Sequence, residues 1–230
     1  KKENTDVVIN IKGLGYLKNL EKITIRGDAK LPKNFNFGKL KKLKKFWWDT
    51  GKLCNGTLDL SGAKNLENVL INADIRKYKF GKLKKLKKVR LGCNSQRAGK
   101  LDLSQVTNLQ DLTIFGVELK NIKLGNQKKL KNIGIYHVKF LKELDLTQME
   151  ELKNLSIEKC RNLKFIKFNK AAKLKSISIF DCNKLRSLTL QKSGNIKSMW
   201  ICGCKRLKTI DLRNINVEEL MLDTHTKEIK

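Results

Sequence analysis

The side chains of this chain that could do chemistry are chiefly basic residues at a constant spacing. A basic residue directly follows the leading Leu or Ile of a phrase that recurs every eleven residues between positions 119 and 212, as in LKNIGI, LKNLSI and LKSISI. Consecutive copies alternate between two sides of the chain, so these residues form two columns, Lys131, Lys153, Lys175 and Lys197 in one and Lys120, Lys142, Lys164, Arg186 and Lys208 in the other. Like charges on adjacent strands repel each other. The columns therefore predict either long side chains that extend into water or a surface that meets an anionic polymer.

The overall charge favours the same two interpretations. The 230 residues include 51 Lys and Arg against 22 Asp and Glu, a formal net charge of +29. A field of this size attracts anionic polymers at low salt. Most of the basic residues are lysines, whereas bidentate recognition of phosphates or bases favours arginine. The composition thus leaves open a solvated, lysine-rich surface and a polyanion-binding surface without sequence readout.

The remaining reactive residues do not predict catalysis. Cys160, Cys182 and Cys204 are spaced by one repeat, and Cys202 lies beside the last of them, so a zinc site is one hypothesis. No CxxC pair is present, and a buried column of small apolar side chains is the simpler interpretation. The two histidines, His137 and His225, have no nucleophile at a suitable spacing, and no phosphate-binding loop or hydrolase motif is present. We predict a protein that is not an enzyme and that has no cofactor and no metal.

The elements that position these residues are short strands. Apolar residues alternate at the end of each phrase, as at Ile177 and Ile179, which is the period of a strand with one buried face. Two strand families alternate, so one coil has about 22 residues and two strands, with connections too short for a helix. The first strand is expected over residues 6–11, and Phe35 and Phe37 are assigned to the second family. We predict a β-rich solenoid of about ten right-handed coils, with two short parallel strands per coil, little or no helix, and a single domain over residues 1–230.

The repeat resembles the leucine-rich repeat family, whose unit reads LxxLxLxxN/C. Residues 152–160, 174–182 and 196–204 fit this unit, with Cys160, Cys182 and Cys204 at the Asn/Cys position. The two-strand coil of about 22 residues is most similar to the short bacterial type found in surface and secreted proteins. The resemblance implies a non-catalytic binding scaffold that is extracellular or at the cell surface. Apolar strands continue to both ends, so we expect a fragment or mature part of a larger chain, and no apolar stretch is long enough for a membrane span.

The outward columns of the two strand families differ. The second family alternates in charge, for example at Asp59, Lys79, Asp102 and Lys123, which predicts a structural surface. The first family presents aromatic residues among small polar ones, which is typical of a recognition surface. The candidate binding residues are therefore Trp47, Phe115, Tyr136, Phe180 and Trp200, with Lys131, Lys153, Lys175 and Lys197 beside them. The first hypothesis is a protein or glycan partner; the second is a polyanion such as teichoic acid, a sulfated glycan or nucleic acid; the third is a spacer with no ligand.

Overall fold

The computed structural model describes residues 12–27, 35–92, 99–169, 172–190, 194–223 and 228–229, with the backbone alone at 51–55 and 228. The fold is a β-solenoid of about eight coils of parallel strands with almost no helix. The strand expected over residues 6–11 lies outside the described residues. The expected number of about ten coils is not confirmed, because the N-terminal end is not described and the final strand of the last coil has only two residues.

One side of the solenoid is a large parallel sheet. Among the described residues it has ten strands. In spatial order, with strands numbered along the chain, they are β1 (Lys22–Arg26), β2 (Lys45–Asp59), β3 (Asn68–Lys79), β4 (Lys88–Gly92), β6 (Asp111–Phe115), β8 (Asn132–Tyr136), β10 (Asn154–Glu158), β12 (Ser176–Phe180), β14 (Ile196–Cys202) and β16 (Val217–Leu222). Successive strands pair in parallel with equivalent repeat positions aligned, as in Ile135, Ile157, Ile179 and Ile201. The predicted first strand family is confirmed.

The opposite side has shorter strands in three small parallel sheets. These strands are β5 (Gly99–Asp102), β7 (Leu119–Lys123), β9 (Glu143–Asp145), β11 (Phe165–Lys167), β13 (Ser187–Thr189), β15 (Thr209–Asp211) and β17 (Glu228–Ile229). They pair as β5 with β7, β9 with β11, and β13 with β15 and β17. In the first coils, β2 and β3 are long enough to reach this side, where Leu58 aligns with Tyr78. From β2 onward, the described coils therefore carry a strand on each of the two sides, as the repeat predicts.

The only helices of the described part are two short 3-10 segments, Lys12–Tyr16 and Phe37–Lys39. The second one corrects the assignment of Phe35 and Phe37 to a strand. The Asn36 side chain accepts a hydrogen bond from the Gly38 N–H at 2.8 Å, which favours a turn at this point. Phe37 is nevertheless buried. The apolar pattern thus predicted the burial of this side chain correctly and its backbone conformation wrongly. No helix in the described part is long and apolar enough to cross a membrane.

The core is a stack of apolar columns between the two sides. Leu130, Leu152, Leu174 and Ile196 occupy one such column and are fully buried. Neighbouring strands lie about 4.8 Å apart, so each side chain packs directly on its counterpart in the next coil. The strand faces alternate, and every second residue must therefore point to the solvent. This alternation produces the ordered outward columns that carry the candidate site.

A left-handed residue follows many strands of the large sheet. Gly116 and Gly203 have φ of 66° and 69°, and the equivalent residues His137, Lys159 and Asp181 have φ of 58°, 53° and 55°. The N–H of each non-glycine residue donates to a carbonyl of the next coil, as from His137 to Glu158 at 2.8 Å. The turn is therefore stabilised by neighbouring coils, which permits ordinary residues in a conformation that favours glycine.

Candidate functional site

The outward surface of the large sheet consists of three columns that run along the solenoid axis. The first column is Lys22, Lys45, Asn68, Lys88, Asp111, Asn132, Asn154, Ser176, Ser198 and Glu219; the second is Thr24, Trp47, Leu70, Arg90, Thr113, Gly134, Ser156, Ser178, Trp200 and Met221. The third is Arg26, Asp49, Asn72, Gly92, Phe115, Tyr136, Glu158, Phe180 and Cys202. Because the strands are in register, each column brings together residues about 22 positions apart in the chain.

The charge of this surface changes along the axis. Strands β1 to β4 present five basic residues, Lys22, Arg26, Lys45, Lys88 and Arg90. By contrast, the twelve residues of the three columns on β8, β10, β12 and β14, here called the neutral face, include no Lys or Arg, although β14 also contains the exposed Lys197 near its start. They are Asn132, Gly134, Tyr136, Asn154, Ser156, Glu158, Ser176, Ser178, Phe180, Ser198, Trp200 and Cys202. The one charged member, Glu158, pairs with Lys159 at 3.0 Å. In a chain of net charge +29, the three columns thus carry almost no charge over four consecutive strands.

The candidate aromatic residues do not form a single cluster. Trp47 lies on β2 and Trp200 on β14, seven strand steps or about 34 Å apart. The Lys22 amine lies 4.3 Å from the centroid of the Trp47 ring and covers it. Trp200 is 40% exposed and Phe115, on β6, is 45% exposed. The structure therefore places Tyr136, Phe180 and Trp200 within the neutral face, Phe115 at its border, and Trp47 far from it.

Tyr136 reaches back along its own strand. A Cβ atom added at Gly134 would lie 2.7 Å from Tyr136 Cε2 and 2.8 Å from its hydroxyl oxygen, so the ring lies directly over Gly134. The glycine is buried as a result. Tyr136 consequently occupies the second column, in which Ser156 and Ser178 separate it from Trp200. Sequence reasoning missed the role of Gly134, although a glycine inside a strand indicates a close approach of another group.

The first column of the neutral face is a chain of hydrogen-bonded polar side chains. Asn132 Nδ2 donates to Asp111 Oδ1 at 2.5 Å, and Asn154 Nδ2 donates to Asn132 Oδ1 at 2.7 Å. Further along, the hydroxyls of Ser176 and Ser198 lie 3.0 Å apart. Each amide and hydroxyl has further donor and acceptor capacity beyond these bonds. The column is therefore ordered before any ligand arrives and can still bind polar groups.

The predicted alignment of Lys131, Lys153, Lys175 and Lys197, here called the first lysine column, is present. The N–H groups of Lys153, Lys175 and Lys197 donate to the carbonyl of the preceding lysine at 2.8, 2.8 and 2.9 Å. Each lysine directly precedes a residue of the first outward column. Lys131 and Lys153 are half-buried, whereas Lys175 and Lys197 are exposed. The column therefore borders the neutral face along all four of its strands.

The same position has a different pattern at the N-terminal end. There the column reads Glu21, Lys44, Glu67 and Lys87, linked by the same backbone bonds. Lys44 pairs with Glu21 at 2.8 Å and Lys87 with Glu67 at 3.4 Å. Within the described ranges, no amine of the first lysine column lies within 4.0 Å of a carboxylate oxygen. The column thus alternates in charge at its N-terminal end and contains four unpaired lysines towards its C-terminal end.

The second lysine column lies at the start of strands of the opposite side, with Lys120 inside β7 and the others directly before β9, β11, β13 and β15. Its members are Lys120, Lys142, Lys164, Arg186 and Lys208. Its backbone bonds include Lys164 N–H to the Lys142 carbonyl at 2.8 Å and Lys208 N–H to the Arg186 carbonyl at 3.2 Å. The outward strand positions of this side carry the predicted charge alternation, with Lys79 at 3.5 Å from Asp59 and Lys123 at 3.8 Å from Asp102. Lys167 pairs with Glu143. These ion pairs join strand positions next to the second lysine column, whereas within the described residues none of the five basic side chains of that column is paired with a carboxylate.

The four cysteines whose side chains the structure describes are buried or half-buried free thiols. Cys160, Cys182 and Cys204 are buried in one column, and Cys202 is half-buried on the neutral face. Burial raises the pKa of the Cys204 thiol to about 11. Among the described residues, no group of three or more His, Cys, Asp and Glu side chains is placed to hold a metal ion. Cys93 and His225 lie outside the described residues.

No protein-family model matches the chain, and no curated protein matches it. The arguments about function therefore depend on the repeat, the neutral face and the lysine columns.

Proposed function

We propose that the chain is a non-catalytic protein- or glycan-binding scaffold of the leucine-rich repeat family, part of a bacterial surface or secreted protein. The observation that carries this proposal is the neutral face. Although 51 of the 230 residues are Lys or Arg, none occupies the twelve positions of the three outward columns on β8, β10, β12 and β14. Small polar residues fill most of those positions instead, together with the exposed Trp200 and the half-buried Tyr136 and Phe180. Such a composition is typical of recognition surfaces rather than of solvated ones.

The assignment to the leucine-rich repeat family is supported by the phrase LxxLxLxxN/C and by its placement. In residues 152–160, 174–182 and 196–204 the alternating apolar residues face the core, and the final cysteine is buried at the following turn. A two-strand coil of about 22 residues supports the short bacterial type. The extracellular or cell-surface location follows from that type and belongs to the proposal.

Binding through the neutral face can be tested with two matched tryptophan variants. Trp200 and Trp47 both lie in the second outward column, but only Trp200 belongs to the neutral face. The wild type, Trp200→Ala and Trp47→Ala are screened against arrays of glycans and of extracellular proteins. We expect ligands that are retained at physiological salt, weakened by Trp200→Ala and unaffected by Trp47→Ala. Equal losses in the two variants, or no ligand at physiological salt, would exclude this function.

A second candidate function is a polyanion-binding module that uses both lysine columns. The unpaired amines of the first lysine column favour it, because four stacked like charges are unfavourable without a counter-ion. This function predicts binding to teichoic acid, sulfated glycans and nucleic acid alike, without sequence readout. Binding that is retained at about 0.15 M salt and collapses when Lys131, Lys153, Lys175 and Lys197 are replaced together would support it. Binding that vanishes at this salt for every polymer alike would make the charge a solvated surface.

A further inference from the structure

We propose that the four coils containing β8, β10, β12 and β14 bind a linear anionic polysaccharide that lies along the solenoid axis. Its acidic groups meet the first lysine column, and its sugar rings lie on the neutral face. This inference rests on the proposed function and narrows it to one ligand class. It combines the first lysine column, which by itself favours a polyanion, with the neutral face, which by itself favours a protein or glycan partner, into one binding site.

The two features coincide on the same strands. Lys131 directly precedes β8 and Lys197 lies at the start of β14, while Tyr136 and Trp200 lie on those same two strands. Three strand steps separate the ends of each row, so both rows extend over about 14 Å. The first lysine column and the part of the second outward column between Tyr136 and Trp200 are thus parallel and equally long. An extended polymer aligned with the axis can contact both rows at once.

The distribution of charge favours a ligand that is anionic along one edge. One border of the site has four unpaired lysine amines, and the adjacent surface has almost no charge. Glu151 experiences the charges of Lys131 and Lys153, but its carboxylate is paired with Lys173. The column changes sign at Glu218, the residue aligned after Lys197, so the cationic row ends with β14. A polymer that is charged on every side would leave the neutral face unused.

The chemistry of the neutral face suits sugar rings. Tyr136 and Trp200 provide aromatic surface at the two ends of the second column, and Ser156 and Ser178 provide hydroxyls between them. Asn154, Ser176 and Ser198 add amide and hydroxyl groups between this column and the lysines. Sites for small polar ligands combine apolar and aromatic walls with a few fixed polar groups. Because these groups lie on neighbouring strands of one parallel sheet, the loss of conformational entropy on binding is small.

The test uses three probes that separate charge from sugar. Dextran sulfate carries anionic groups on sugar rings, dextran has the rings without the charge, and inorganic polyphosphate has charge without the rings. Binding is measured by calorimetry at about 0.15 M salt, where exposed charges are well screened. We expect the wild type to bind dextran sulfate at least about tenfold more tightly than either of the other two probes.

Two fourfold variants with equal loss of charge identify the column. In one, Lys131, Lys153, Lys175 and Lys197 are replaced by Gln; in the other, Lys120, Lys142, Lys164 and Lys208 are replaced by Gln. We expect the first to lose at least about tenfold in affinity for dextran sulfate and the second less than about threefold. If the first variant is poorly folded, Lys153→Gln alone should still reduce the salt dependence of binding more than Lys142→Gln does.

The variant Tyr136→Ser/Trp200→Ser tests the contribution of the face. It should weaken dextran sulfate binding and leave polyphosphate binding unchanged. The inference is overturned if the three probes bind in order of charge alone or if both fourfold variants lose affinity equally. A ligand that depends on Trp200 but not on the first lysine column would overturn the inference and leave the proposed function intact. If binding of the anionic ligand depends on neither Trp200 nor Tyr136, both this inference and the proposed function are excluded.

Discussion

The Tyr136 ring lies over Gly134, two residues earlier on β8, so closely that a Cβ at position 134 would fall 2.7 Å from Tyr136 Cε2. The backbone of Tyr136 lies in the third outward column, and this contact places its ring in the second. The neutral face therefore depends on the absence of a side chain as much as on the residues it presents. The first prediction follows from this contact.

Gly134→Ala should displace the Tyr136 ring and destabilise the fold by about 1 kcal/mol, at the lower end of the cost of overpacking because the ring can move outward. In the double variant Gly134→Ala/Tyr136→Ala the clash is absent, so the two changes should not be additive. Urea denaturation of the two single variants and the double variant measures this coupling. Additive changes in the free energy of unfolding would show that the ring does not rest on Gly134.

Gly203→Ala should destabilise the fold by about 1–2 kcal/mol, because an L-residue in the left-handed region is strained. Gly203 has φ of 69°. An added Cβ would also meet the Asp181 side chain. The matched control is Gly13→Ala, since nothing lies within 4 Å of a Cβ at that glycine. Thermal unfolding of both variants provides the measurement, and a loss of stability at Gly13 as large as that at Gly203 would contradict the explanation.

Two turns on the opposite side of the solenoid should make the free energy of unfolding decrease at acid pH. Hydrogen bonds from the hydroxyl and N–H of Ser104 hold the pKa of Asp102 below its ordinary value of 3.8, and Lys123 adds to the effect. Thr147 lowers the pKa of Asp145 in the same way. Because the folded-state pKa is depressed, this contribution is complete above pH 3.8 and is lost as the pH falls through the lower folded values.

The replacement Asp102→Asn/Asp145→Asn should therefore cost stability at about pH 7 and almost none at about pH 2. The cost should be below about 1 kcal/mol per site, because both carboxylates are largely exposed to solvent. Urea titrations of the wild type and the double variant at several pH values measure the difference. A cost that does not change with pH would show that the ionised carboxylates are not responsible.

The buried cysteine column should resist alkylation in the folded protein. Cys160, Cys182 and Cys204 are buried, and burial raises the pKa of Cys204 to about 11, so little thiolate is present at about pH 8. Cys202 is half-buried and should react first among these four. Peptide mass spectrometry after iodoacetamide treatment distinguishes them, with complete labelling in urea as the control. Labelling of Cys204 as fast as that of Cys202 in the folded state would contradict the buried column.

Much of the architecture was predictable because the repeat is regular. The alternation at residues such as Ile177 and Ile179 predicted strands, and the two interleaved families predicted a parallel strand on each side of every coil. The same pattern was wrong at Phe35 and Phe37, because the local hydrogen bond from Gly38 to the Asn36 side chain favours a turn over a strand. Periodicity reports which side chains are buried, and it does not report how the backbone turns between them.

The candidate site was predictable only in part. The sequence singled out the aromatic residues and the first lysine column, but it treated Trp47 and Trp200 as members of one set. Strand order places them about 34 Å apart, and the Lys22 amine covers Trp47. Gly134 inside a strand indicated a close approach of some group, but not that this group is the Tyr136 ring, because the contact depends on a side-chain rotamer.

The sequence by itself determined the solenoid, the two strands of each coil, the buried columns and the alignment of the lysines, because each of these follows from a constant period. Only the tertiary structure decided which of the aligned residues form one surface. Register in a parallel sheet brings residues about 22 positions apart into contact, and the ion pairs of each column then determine where charge remains. The neutral face bordered by four unpaired lysines is a product of that stacking, since no single repeat contains it.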